Sequence, residues 1–217
     1  MKRENVYNML FDRIYEGKYP MGFRLKEIDL SNEFSISRGH VREVLKQLHQ
    51  IGLVEIMPNR GAVVVGLTQD DIEEIYEIRK YLEIIALKAA LSRIRMKELS
   101  TFRLKLMTIG PNTPIDIVAE MDHELHTFIV EASERRYLKR ILEVIYQLIS
   151  RIRMIAFRDP VGVKLATAEH LALIEAIFRR DEEKATKILS DHLERSKNVV
   201  LTTLFQGFTL KKEEEKC

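Results

Sequence analysis

The sequence predicts a mainly α protein in two parts: an N-terminal winged helix-turn-helix over residues 1–66, then an all-α antiparallel bundle of about six helices over residues 67–206. Three observations predict it. Between Glu27 and Gly61, two short apolar-periodic segments meet at a tight corner, and a β-rich hairpin pattern follows them. At Gly66-Leu67-Thr68 the strand period stops and a helical period starts. From there to about Leu204, apolar residues recur at helical spacing and are interrupted only by short Gly/Pro breaks, the pattern of helices joined by short loops.

In the first part, residues 4–16 form a helix with Val6, Leu10 and Ile14 on one face, ended by Gly17, Pro20 and Gly22. The next helix, about Glu27 to Phe34, is expected to bury Ile28, Leu30 and Phe34. Ser35-Ile36 is too short for anything but a sharp helix-to-helix corner. Ser37 supplies a side-chain oxygen where a helix must begin. Behind it Val41, Val44, Leu45 and Leu48 share one buried face, and the opposite face carries Arg38, His40, Arg42 and Lys46. Leu53-Val54-Glu55-Ile56 reads as a strand, Pro58-Asn59-Arg60-Gly61 as a turn, and Ala62-Val63-Val64-Val65 as the return strand. This order suits duplex DNA: a helix fits the major groove, and arginines pair phosphates and fork onto guanine edges.

In the second part, Thr68 and Asp71 make a capping-box-like start. The helix running to about Arg93 has Ile75, Ile78, Leu82, Ile85 and Ala89 as its expected stripe. A second helix covers about Lys97 to Met107. After a Gly110–Pro114 break, Thr113 as cap and Pro114 as first helical residue start a helix to about Ser133. The segment Tyr137–Phe157 carries Leu138, Ile141, Ile145, Leu148 and Ile152. Asp159-Pro160-Val161-Gly162 breaks again, and two last helices cover about Lys164–Arg179 and Asp181–Leu204. Residues 207–217 read as a polar, disordered tail.

Composition narrows the function. Residues 1–66 hold ten Lys and Arg against eight Asp and Glu, and the remainder is balanced, so neither part is a polyelectrolyte. A nucleic-acid reading therefore rests on where the arginines sit. The single cysteine, Cys217, supplies no internal disulfide and suits a reducing cytoplasm. No apolar run reaches the ~20 residues a bilayer needs, and the first residues lack a signal-peptide core. A cytoplasmic protein with no membrane partner is expected.

Misplaced polar residues in the bundle carry the chemistry. On a helical wheel, His170 sits amid Val163, Ala166, Leu173, Ile174 and Ile177, and His192 amid Ala185, Ile188 and Val199. Asp122 and His126, four apart, lie at the edge of the face made by Val118, Met121, Leu125, Phe128, Ile129 and Ala132; His123 points further out. Burying one carboxylate and three imidazoles without partners is costly. A divalent transition metal resolves this, with Asp122, His126, His170 and His192 as ligands. Three nitrogens and one oxygen suit Zn or Ni first, and Mn, Co or Fe also.

Residues Gly22-Phe23-Arg24-Leu25, Ser37-Arg38, Val41-Arg42-Glu43-Val44-Leu45, Leu48, Gly52-Leu53-Val54 and Asn59-Arg60-Gly61 resemble the DNA-binding half of the GntR transcription-factor superfamily. The chain departs from its usual pattern at Gly39-His40, where Thr-Pro or Thr-Thr is common, so the operator cannot be carried over. Asp122-x-x-x-His126, Glu169-His170-x-x-x-Ile174, Asp181-x-x-x-Ala185 and His192 resemble the FCD-type effector domain of the FadR subfamily. The resemblance implies that Arg38 and Arg42 contact bases or phosphates and that the Arg60-Gly61 wing approaches the minor groove. It implies that the metal helps hold a small organic-acid effector, with Arg79, and more weakly Arg153, beside it. It points away from a fatty-acyl effector, because members that bind fatty-acyl-CoA lack these metal ligands. It leans towards repression.

The expected function is thus a DNA-binding transcriptional regulator. A single recognition helix reads too few bases, so a homodimer on a palindromic operator is expected, with half-sites ~34–36 Å apart or a multiple. The alternative is a metal-dependent hydrolase with an accessory basic domain, using Glu169 or Glu124 as base. A third reading leaves the metal purely structural.

Overall fold

The computed structural model describes residues 3–15, 17–57, 61–110, 112–157 and 160–206, with side chains described for all of these except 3–5, 150–156 and 206. The chain divides into two compact units at Thr68/Gln69. The tail 207–217 lies outside the described residues.

The first unit runs α1 (Arg3–Tyr15), β1 (Arg24–Leu25), α2 (Glu27–Phe34), α3 (Arg38–Gln50), β2 (Val54–Met57) and β3 (Gly61–Val64). Val6, Leu10 and Ile14 of α1 are buried, as are Leu30 and Phe34 of α2 and Val41, Val44, Leu45 and Leu48 of α3. The corner between α2 and α3 depends on Ser35, which adopts a left-handed φ of 53°. Its amide donates to the carbonyl of Asn32, while the Ile36 amide donates to that of Ser31. Ser37 caps α3 by accepting from the His40 amide at 3.3 Å. Ile28 is a correction: it is half exposed, because Leu30 and Phe34 already occupy the inward side of a two-turn helix.

The sheet is antiparallel in the order β1-β3-β2. Arg24 pairs Val63, Val54 pairs Val64, and Met57 pairs Gly61. The hairpin is displaced by one residue from its expected bounds. The short strand β1 escapes periodicity altogether, since two residues carry no period.

The second unit is a six-helix bundle: α4 (Gln69–Ala90), α5 (Met96–Met107), α6 (Ile115–Ala132), α7 (Arg136–Ala156), α8 (Pro160–Phe178) and α9 (Glu182–Leu201), followed by a π-helical turn at Thr202–Gln206. Leu87, Leu99, Leu125, Ile129, Ile174, Ile177 and Leu189 fill its core. Two starts differ from expectation. Pro114 precedes α6 rather than opening it, and the Thr113 hydroxyl accepts instead from the Gly110 amide. Pro160 opens α8 rather than breaking it, because a first-turn residue has no N–H partner to lose.

The faces of α4 and α7 differ more. Residues Ile72, Tyr76, Arg79, Glu83, Ala86, Leu87 and Ala90 of α4 are buried, whereas Ile78 and Ile85 are 41% and 48% exposed. On α7, Leu142, Ile145, Tyr146 and Ile149 are buried, whereas Ile141 and Val144 are both 51% exposed. Helix α4 therefore turns an apolar stripe outward and a partly polar one inward, whereas α7 keeps Ile145 and Leu148 of its expected stripe buried, turns Ile141 outward, and has the side chain of Ile152 outside the described residues.

Candidate metal centre and nucleic-acid face

Three helices of the bundle converge on one point. Asp122 and His126 stand one turn apart on α6, His170 lies in the middle of α8 and His192 in the middle of α9. All four are at most 4% exposed. One ligand atom from each lies within 4.8 Å of every other. His170 Nε2 is 3.3 Å from His192 Nε2 and 3.5 Å from Asp122 Oδ1, and His126 Nε2 is 3.9 Å from the same oxygen. Asp122 and His126 thus occupy the middle of the buried face of α6 rather than its edge. His123 is exposed, its ring edge-on to Tyr146.

The outer partners fix which nitrogen faces the centre. His126 Nδ1 lies 2.6 Å from Glu83 Oε2, and His192 Nδ1 lies 2.7 Å from Glu169 Oε2. Beside a carboxylate each Nδ1 is the protonated one, a tautomer assigned from these partners. Each Nε2 is then a bare lone pair turned inward. His126 Nε2 is buried with no hydrogen-bond partner among the described residues. Lone pairs converging on a carboxylate oxygen are what a divalent cation requires, so the residues present fit a metal.

Two guanidiniums hold the outer carboxylates. Arg79 Nε donates to Glu83 Oε1 at 2.6 Å, and the Tyr146 hydroxyl donates to the same oxygen at 3.0 Å. Arg195 forks onto Glu169 through Nε and a terminal nitrogen, both at 2.6 Å. Burial alone would raise the Glu83 carboxyl, but Arg79 and His126 override it and hold it well below the carboxylate range. At Glu169 burial likewise acts upward, and hydrogen bonds from His192 and Arg195 win, lowering it to about 2. Burial would lower the Arg79 guanidinium, yet Glu83 keeps it raised. With neutral imidazoles, Asp122, Glu83 and Glu169 outnumber Arg79 and Arg195 by one negative charge. A divalent ion would turn that excess into one positive charge.

Burial pushes the His126 and His192 imidazoles below their usual 6.5, against the pull of Glu83 and Glu169. The sign for stability follows. As pH falls through the unfolded value, the unfolded chain takes up protons that these folded imidazoles refuse, so acid favours unfolding. The melting temperature of metal-free protein is expected to fall between about pH 7.5 and about pH 5.5. A flat profile in differential scanning calorimetry would contradict neutral imidazoles at the centre.

Sequence reasoning singled out the four residues that converge here but missed most of their support. Glu83, one turn beyond Arg79 on α4, is fully buried with it. Glu169 precedes His170 in sequence but serves His192 on the neighbouring helix. Tyr146 and Arg195 went unseen. The available signal was the Arg79/Glu83 spacing on a helix whose inward face must reach the histidines. Glu124 accepts from Lys105 at the surface instead. Arg79 is wholly buried between the rings of Tyr76 and Tyr146, and its two terminal nitrogens have no hydrogen-bond partner among the described residues. The side chain of Arg153 lies outside the described residues.

On α3, Arg38, Arg42 and Lys46 follow one outward line and are exposed. Arg42 Nε reaches both oxygens of Glu27 at 2.8 Å, which ties α3 to α2, and Lys46 pairs with Glu43 at 3.1 Å. His40 departs from this face: it is half buried, and its Nε2 is enclosed without a hydrogen-bond partner among the described residues. Arg60 lies outside the described residues. Gly61 has a backbone reason to be glycine: φ is +84°, and a Cβ there would stand 2.4 Å from the Leu25 carbonyl oxygen.

Comparison with known proteins follows this division. Residues 2–64 match the family model of bacterial regulatory proteins, gntR family, and residues 74–195 match that of the FCD domain. The chain is 27% identical over 190 residues to the uncharacterized HTH-type transcriptional regulator YdhC of Bacillus subtilis, covering 86% of this chain and 85% of that one. Among solved structures it resembles Lar of Listeria monocytogenes, with a TM-score of 0.71 at 19% identity over 92% of this chain and 96% of that one. It also resembles the Zn2+-bound FCD domain of TM0439, with a TM-score of 0.53 at 22% identity over 65% of this chain and 99% of that domain. Among the described residues no helix is long and apolar enough to cross a membrane. The matches are to regulators, which decides against the hydrolase alternative. The chain belongs to the gntR family of bacterial regulatory proteins and is a transcriptional regulator carrying an FCD domain.

Proposed function

We propose that this regulator is a metal-loaded, acid-responsive repressor that binds a palindromic operator as a homodimer. Its residues 1–66 are the DNA-binding domain and residues 67–206 the metal- and effector-binding domain. The observation that carries the reading is the buried convergence of Asp122, His126, His170 and His192, with a hydrogen-bonded carboxylate behind two of the histidines. These four would hold Zn or Ni first, with Mn, Co or Fe as other fits, in line with the zinc named for the TM0439 domain. The ion would supply a Lewis-acid anchor for a small organic acid. The charge balance supports this order: the site repels an anion when empty of metal and attracts one carboxylate when loaded.

Arg79 supports the acid reading with two buried, unpartnered nitrogens, donors that a carboxylate would satisfy. Arg153 is proposed beside it from the family resemblance alone. For DNA, Arg38, Arg42 and Lys46 form the outward face of α3, with His40 at its edge and Arg60-Gly61 at the hairpin. The exposed stripes Ile78, Tyr81 and Ile85 of α4 and Tyr137, Ile141 and Val144 of α7, helices that pack on each other, support a second copy of the chain as partner.

Selection of bound sequences from random duplexes tests the DNA reading. A two-fold symmetric site is expected, with Arg38→Ala weakening binding to it at least tenfold, about 1–3 kcal/mol for a base-edge contact. Recovery of no sequence preference at physiological salt would end it.

A further inference from the structure

The two carboxylate–histidine pairs behind the metal site are chemically alike but differently placed. Glu83 and Arg79 are sealed, with side chains at most 3% exposed. Glu169 and Arg195 are about one quarter exposed, at 27% and 25%. That exposure lies beside two spaces. A small, partly open cavity of about 20 Å³ abuts the metal site and is lined by Asp122, His192, Gly162, Arg195 and Val199 among others. A larger open groove runs along α9 past Asp191, Glu194, Asn198 and Thr202. Arg195 and Val199, one turn apart on α9, line both spaces, so an acid passing from one to the other would pass between them and make theirs the doorway.

We propose that Arg195 is the effector's capture residue, the cation at the doorway that pairs with the carboxylate of an acid passing from the groove towards the metal. This rests on the reading that the centre takes a small organic acid. Charge selects the residue. Among the described residues, Arg195 is the only arginine or lysine lining either space, while Asp191 and Glu194 are acids and Val199 is apolar. Among the described residues an anion meets no other cationic side chain in these two spaces.

The geometry also permits the exchange. Arg195 now presents its fork to Glu169, and an incoming carboxylate offers the same planar pair of acceptors. Glu169 is not orphaned by the trade, because it keeps the hydrogen bond to His192 Nδ1. With Arg195 drawn away, that bond strengthens and makes His192 a better metal donor. Acid binding and metal binding then reinforce each other, and the coupling is reciprocal. A cavity of this size admits little more than a carboxyl head. The body of the acid would stay in the groove.

The experiment is calorimetric titration of zinc-loaded, full-length protein with formate, acetate and glycolate, each separately, on wild type and on Arg195→Gln and Arg195→Lys. Elemental analysis of every sample records the metal content. The expected result is binding to wild type, about ten- to a hundredfold weaker in Arg195→Gln at unchanged metal content, with Arg195→Lys in between because it keeps the charge and loses the fork. Undiminished affinity in Arg195→Gln overturns the capture role and leaves the acid-binding reading standing. If Arg195→Gln loses its metal, Arg195→Lys decides: full affinity there overturns the capture role too. No heat from wild type with any of the three acids overturns the acid-binding reading, and the capture role falls with it.

Discussion

Replacing His170 by alanine is expected to leave the purified protein without a bound metal ion and to lower the melting transition of the helical unit by roughly 8–16 °C. His170 supplies the nitrogen nearest both His192 Nε2 and Asp122 Oδ1, so its removal opens one side of the donor set. A ligand held about a thousandfold above its dissociation constant stabilises the folded state by about 4 kcal/mol. For a unit of this size each kcal/mol moves the midpoint by roughly 2–4 °C. Two controls separate metal loss from the cavity that alanine leaves. A chelator should bring wild type down towards the variant and leave the variant unmoved. His170→Gln, which fills the space without restoring the lone pair geometry, should behave like alanine. A chelator that shifts neither protein would show that no metal stabilises this fold.

Arg79→Ala is expected to cost about 3–5 kcal/mol of stability, the most severe single change in the buried polar network, because it leaves the Glu83 carboxylate buried without its counter-charge. Arg79 and Glu83 are both within the bundle core, and Glu83 also accepts from Tyr146 and His126. Loss of the guanidinium therefore reaches the metal ligand through one shared carboxylate. The double variant Arg79→Met, Glu83→Gln should recover much of the loss, since it removes both charges and keeps the volume. Metal affinity should stay low in the double variant, because the glutamine amide is a poorer acceptor for His126 Nδ1 than a carboxylate. Urea denaturation of the single and double variants measures this. A double variant no more stable than Arg79→Ala would contradict the buried-charge explanation.

How far the chain could be read beforehand depends on what each helix buries. For α8, α9 and α6 the inward face is apolar apart from the metal ligands, so the wheel showed Asp122, His126, His170 and His192 as intruders. The apolar cluster of α3 and its serine cap were legible for the same reason. On α4 the rule failed in an informative way. Its inward face contains Tyr76, Arg79 and Glu83, while Ile78 and Ile85 face out. A periodicity search assigns the apolar stripe to the core, and here the core face is the one that must reach His126. On α7 the expected stripe is only shifted: Ile145 and Leu148 are buried as expected, while Tyr146 is inside and Ile141 outside. The pairing of Arg195 with Glu169 was invisible for another reason: it joins α8 to α9, and no spacing within one helix announces a contact across two.

The central claim is that one divalent ion sits among Asp122, His126, His170 and His192. Anomalous diffraction at the absorption edge of the metal in a crystal of the purified protein tests it most directly. A single peak is expected about 2.0–2.2 Å from one carboxylate oxygen and three imidazole nitrogens of these residues. Crystals of metal-supplemented protein with no peak at that point, or with one held by other side chains, would contradict it.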